Sequence, residues 1–170
     1  MTPDEALKKL LDAHRRYYDI NETTPAEPFS AEATFQMYDK QYLLLRSVKI
    51  SESQSGELVY FACADELEAK YLQDLANLAW EKGILRVDPH ESHQNTDIVL
   101  YVIADKFNGN FEDVVKKCKF YKNYRFGLHG YSHFKMLAYE ISSSKFAHNR
   151  MGKNLVTVIK NTLNQNSIKE

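Results

Sequence analysis

The chain has 170 residues, 44% of them hydrophobic and 26% charged, with a net charge of −1. These values describe a single soluble globular domain, residues 1–170, long enough to bury a real core. They give no support to a strongly basic nucleic-acid-binding domain, because the sequence pI is about 6.6. No apolar run approaches the length of a membrane span, so no membrane partner is expected.

The first residues read as a helix. Thr2 can cap it, Pro3 suits its first position, and Glu5 completes a capping box. Asp4, Glu5, Lys8 and Lys9 interrupt any apolar run, so this is not a secretory leader and a cytoplasmic location is expected. His14 lies on the apolar face with Leu7, Leu10 and Leu11, which suits a hydrogen-bonded histidine at the core margin. Residues 21–28 are a proline-containing loop. Strict alternation over 31–37 predicts a half-buried strand, and Asp39-Lys40 a turn. A second strand is predicted over Tyr42–Ile50 and a third over Leu58–Ala64, apolar on both faces and hence central. Together the three make an antiparallel meander.

Asp65-Glu-Leu-Glu68 has the form of a capping box and predicts a helix from there, closed at Gly83. A short strand is possible after Ile84, then a loop, then a fourth main strand over Ile98–Ala104. Asn110 can cap the next helix. Phe134–Ile141 reads as a strand and Ser142–Ser144 leads into a loop. Asn149 can cap a last helix carrying Leu155, Val156, Ile159 and Leu163. The order α-β-β-β-α-(β)-β-α-β-α argues for an α+β fold. It would have a single mixed or mostly antiparallel sheet of about five strands, packed with helices on at least one face. Cys63 and Cys118 lack metal-ligand spacing and read as buried free thiols.

Residues 124–135, between a helix and a strand, form the densest stretch of functional side chains. Tyr124, Arg125, His129, Tyr131, His133 and Lys135 are the expected lining of a binding groove, for a small anionic ligand or a protein partner. From Lys116 to Lys135 there are six basic residues and no acidic one. Aromatic residues lie among them, a mixture that suits single-stranded nucleic acid or a nucleotide. The plainer alternative is a solvated helix face beside a Tyr-lined core edge.

Two histidine pairs, His90/His93 and His129/His133, could meet at a divalent metal with Asp97 or Asp88, and so serve a small His-centred hydrolase or transferase. Alternatively they orient loops by hydrogen bonding. The element order resembles that of metal-dependent nucleases of the restriction-endonuclease type. Their Glu-x-Lys on the third strand is missing here, and Glu57 stands too far along the chain from a lysine to replace it. No phosphate loop, GxGxxG or GxSxG motif is present.

The stretches Phe29-Ser-Ala-Glu32, Pro89-His90-x-x-His93-x-x-Thr96, Tyr124-Arg-Phe-Gly127-x-x-Gly130-x-Ser132 and Asn149-Arg-x-Gly152-Lys together resemble an uncharacterised bacterial domain family of unknown function. The resemblance implies no activity, cofactor or catalytic residue. It implies that the four stretches belong to one domain.

Overall fold

The computed structural model describes residues 1–39 and 53–163. Helix α1 (Pro3–His14) is closed at its start by the expected capping box, with Glu5 N–H donating to Thr2 Oγ1 and Thr2 N–H to a Glu5 carboxylate oxygen. After it come β1 (Asp19–Asn21), β2 (Ala31–Asp39), β3 (Ser53–Glu68), α2 (Tyr71–Ile84), β4 (His93–Asn108) and α3 (Phe111–Lys117). The chain ends in β5 (Tyr121–Asn123), a single 3-10 turn (Arg125–Gly127), β6 (Tyr131–Glu140), β7 (Lys145–His148), a second 3-10 turn (Arg150–Gly152) and α4 (Leu155–Leu163).

Among the described residues the strands form one mixed sheet in the order β1-β2-β3-β4-β6-β5, with β7 also paired to β6. β2 runs antiparallel to β3, whereas β3, β4 and β6 are mutually parallel. The α+β class and the mixed sheet agree with expectation. The expected strand Tyr42–Ile50 and its turn fall outside the described residues, and β2 pairs directly with β3.

Alternation along the three parallel strands builds two cores. Tyr60, Leu100 and Met136 face α2 and α3, with Leu72, Ala76 and Val115 opposite. Phe61, Tyr101 and Leu137 face α1 and α4, with Leu10, Leu11 and Ile159 opposite. Helices therefore cover both faces of the sheet.

Several boundaries depart from the sequence reading. Asp65–Glu68 is not a capping box but the end of β3, where Glu66 pairs with Lys106 and Glu68 with Asn108. The sheet ladder satisfies those backbone groups, and α2 begins at Tyr71 with no side-chain cap. Gly83 does not close that helix. It lies inside it, buried, where an added Cβ would stand 2.7 Å from Ile98 Cδ1. Its role is close packing of helix on sheet. Ile84 belongs to α2, and no strand follows it before β4. The short strands β1, β5 and β7 were not anticipated, since three or four residues at an edge carry too little alternation to read.

Asn149 caps the second 3-10 turn, with Gly152 N–H on its Oδ1, and α4 starts only at Leu155. It also completes the sheet. β5 and β7 share one edge of β6, at its first and last parts, and the Asn149 side chain fills the interval between them. It accepts from Met136 N–H at 3.0 Å and donates to Phe134 O at 2.9 Å and to Cys118 O at 2.9 Å. Cys63 and Cys118 are free thiols. Burial is the main cause that raises them, Cys63 to about 12 and Cys118 to about 11. No helix among the described residues is long and apolar enough to cross a membrane.

Candidate functional site

The first part of β6 carries polar side chains where its later part carries core. Leu137 and Tyr139 face α1 and α4, so Tyr131, His133 and Lys135 project from the same face two residues apart. Among the described residues no helix buries that end, and all three side chains remain partly accessible. Paired residues on neighbouring strands share a face. Tyr121 is paired with His133, Val99 with Lys135, and Glu57 with Asp97. The register therefore gathers Glu57, Asp97, Lys135, His133, Tyr131 and Tyr121 on one open end of the sheet.

Lys135 is the centre of a charged cluster. Its Nζ donates to Asp97 Oδ2 at 2.6 Å and to Glu57 Oε1 at 3.3 Å. The three side chains are only 14%, 12% and 26% exposed, in the order Lys135, Asp97, Glu57. Tyr18 OH donates to the other Glu57 oxygen at 2.6 Å. Burial works against the Lys135 charge. The hydrogen bond to Asp97 and the two carboxylate charges together outweigh it and hold the ammonium above its ordinary range. Burial, then Glu57, raises Tyr18, and the same two causes raise Tyr101 beneath it. His14 is driven down by burial against the partial opposition of its Leu10 hydrogen bond and Glu57. Its Nδ1–H donates to Leu10 O at 2.7 Å, as expected of a core-margin histidine.

Beside this cluster stand three rings. Tyr121 and His133 have centroids 5.0 Å apart, Tyr131 and His133 4.9 Å, and Tyr121 and Tyr131 6.4 Å. A hollow of about 190 Å³ opens at the start of β5, walled by Phe120, Tyr121, His133 and Met151, with Lys119 and Arg150 also lining it. On the opposite face a pocket of about 150 Å³ is lined by Arg86, Thr34, Gln54, His93 and Thr96. Its cation is already engaged: Arg86 donates to Glu32 at 3.0 Å, to Thr34 at 2.9 Å and to Tyr60 OH at 3.3 Å.

The residues expected to line one groove divide between two places. Tyr131, His133 and Lys135 lie on the open sheet face. Arg125 and His129 lie on the loop above, where Arg125 Nη1 donates to His129 Nε2 at 3.3 Å. Tyr124 is buried between, its OH 3.0 Å from Ser132 Oγ and its ring edge-on to His93.

The two histidine-bearing loops do meet: His93 Nδ1–H donates to His129 O at 2.6 Å. With that proton placed, His93 Nε2 accepts from Thr96 OH at 2.9 Å. His90 Nε2–H donates to Gln54 Oε1 at 2.8 Å, and its Nδ1 accepts from Ser92 N–H. Among the described residues no three His, Cys, Asp or Glu side chains form a metal-ligating group. His90, His93, His129 and His133 are thus engaged by loops and neighbouring rings.

The sequence reading missed the partnership at the centre of the site. Glu57 stands too far along the chain from any lysine to suggest a partner, yet Lys135 from another strand reaches it. Tyr18 continues the apolar spacing of the first helix in the sequence, but it lies beyond the end of α1 and donates to Glu57. The available signal was a lysine in strand alternation with Tyr131, His133 and Leu137, at a position where a core residue is expected.

Residues 2–161 match the family described as Domain of unknown function (DUF8052). All four stretches that carried the resemblance fall inside the match. No curated protein and no solved structure matches the chain.

Proposed function

We propose that this chain, which belongs to the family described as Domain of unknown function (DUF8052), is a binding module for nucleotides or single-stranded nucleic acid, seated at the β5–β6 edge. The observation that carries the reading is the hollow walled by Tyr121 and His133 with Lys119 and Arg150 in its lining. Aromatic walls stack a base of any sequence, and flanking cations hold its phosphate. Glu57 and Asp97 lie on the inner side, beyond Lys135. Their charge repels phosphate from the middle of the sheet, which orients a strand with its backbone towards β5. Carboxylates in that position also accept from base amino groups. A cytoplasmic location suits such a ligand. The test is fluorescence anisotropy of a labelled single-stranded oligonucleotide, first at low salt and then titrated. Affinity falls with salt in proportion to the phosphates neutralised. No binding at low salt removes the reading.

A second reading rests on the Glu57–Lys135–Asp97 cluster. Convergent titratable groups in a partly sheltered position are candidates for chemistry. The small hydrolase or transferase considered for the histidines would then be centred on this cluster. Lys135 would donate to a substrate oxygen and a carboxylate would take up a proton. Turnover of a bound ligand that vanishes in Asp97→Asn, with binding retained, distinguishes this reading from binding alone.

A further inference from the structure

The hairpin formed by β5 and β6 holds an aromatic ring in water. Its tip is closed by Tyr124 N–H to Gly130 O at 2.9 Å and His129 N–H to Tyr124 O at 3.2 Å. Between these bonds Arg125 and Phe126 both adopt left-handed backbone, with φ of 51° and 57°. Two successive non-glycine residues there are uncommon, and such strain persists only where the surroundings impose it. The surroundings do impose it. Gly130, also left-handed at φ 78°, sits so tightly on β4 that an added Cβ would lie 2.3 Å from Gln94 O. His93 holds the loop through His129 O. The outcome is a Phe126 side chain that is 100% exposed, with Leu128 next to it at 75%. Among the described residues, none buries that ring.

Along the chain, the charge flanking the tip has one sign. Lys119 and Lys122 precede it, Arg125 is part of it, and no acidic residue occurs from 116 to 135. An exposed ring among cations is the element that single-strand binders repeat along a path. At most about 17 Å of extended chain separates Phe126 from Tyr121, a span that several nucleotides cover.

We propose that Phe126 is a second stacking point, so that the preferred ligand is an oligonucleotide running from the β5–β6 hollow to the hairpin tip, not a mononucleotide. The inference rests on the nucleic-acid reading of the hollow and extends it to ligand length. Binding of a thymidine trinucleotide and a thymidine decanucleotide is compared for the wild type, Phe126→Ala and Phe126→Trp. The wild type binds the decanucleotide more tightly. Phe126→Ala weakens decanucleotide binding about tenfold and leaves the trinucleotide unchanged, while Phe126→Trp retains wild-type affinity for both. If Phe126→Ala binds the decanucleotide as the wild type does, the tip plays no part, and the hollow stands alone. If neither oligonucleotide binds, the hollow fails as well. Binding to phosphatidylglycerol vesicles through Phe126, without binding of the decanucleotide, overturns the proposal in favour of a lipid surface.

Discussion

Lys135 and Asp97 stand on adjacent parallel strands, and the Lys135 ammonium donates to an Asp97 oxygen at 2.6 Å. Asp97 is paired in register with Glu57, which lies on the far side of β4 from β6 and takes the same ammonium. One cation therefore serves two carboxylates, and the three groups come from three strands that two crossovers place side by side.

Removing that cation leaves two sheltered carboxylates facing one another. Lys135→Met is expected to lower stability by about 3 kcal/mol, measured by urea denaturation, and adding Glu57→Gln with Asp97→Asn to recover most of it. The folded Lys135 titrates above its ordinary 10.5. Its contribution is complete below 10.5 and disappears as pH rises through the higher folded value. A Lys135→Met protein as stable as the wild type would show that water already screens the carboxylates.

His14 gives the opposite dependence. Its folded pKa lies below the ordinary 6.5, chiefly through burial. The unfolded chain binds the proton first, so stability falls as pH drops from 6.5 to the lower folded value and then levels off. His14→Leu is expected to remove this part of the slope in thermal melts. An unchanged slope would place the acid sensitivity elsewhere.

The packing of α2 on β4 depends on a missing side chain. Gly83→Ala would set a Cβ within 3 Å of three Ile98 side-chain atoms. Overpacking of about 2 kcal/mol then outweighs the gain in helix propensity of about 1 kcal/mol. Ile98→Val in the same chain should return part of the loss, as read by thermal melting. A more stable Gly83→Ala would mean that the helix shifts freely over the sheet.

Asn149 satisfies backbone groups of four residues on three segments at once: Cys118, Phe134 and Met136 of β6, and Gly152. Asn149→Leu strands them in the core and is expected to cost about 3 kcal/mol or more. Hydrogen exchange should quicken at Met136 and Gly152 first. Uniform, unchanged protection at both would contradict this role.

Local chemistry made some of this architecture legible. The capping box at Thr2 and Glu5 and the alternation from Ala31 are decided within a few residues, and both hold. Asp65–Glu68 carries an equally good local pattern and is strand, because β4 extends alongside it and the ladder prevails. Gly83 looks like a terminator when only the helix is considered; its neighbour Ile98 becomes visible only once β4 packs against α2. The candidate site was half legible. Tyr131, His133 and Lys135 could be chosen from one stretch, and their common face follows from alternation. Glu57 and Tyr18 could not be joined to them, since parallel pairing across two crossovers brings together residues that no sequence spacing relates.

The open end of the sheet as a nucleic-acid seat is tested most directly with a labelled thymidine trinucleotide and the Tyr131→Ala/His133→Ala double variant, whose changes fall on partly exposed side chains. The expected result is measurable low-salt binding by the wild type, weakening as salt is added. In the double variant, affinity should fall at least tenfold with little change in melting temperature. Equal binding by the two proteins, or no binding by the wild type at low salt, would contradict the assignment.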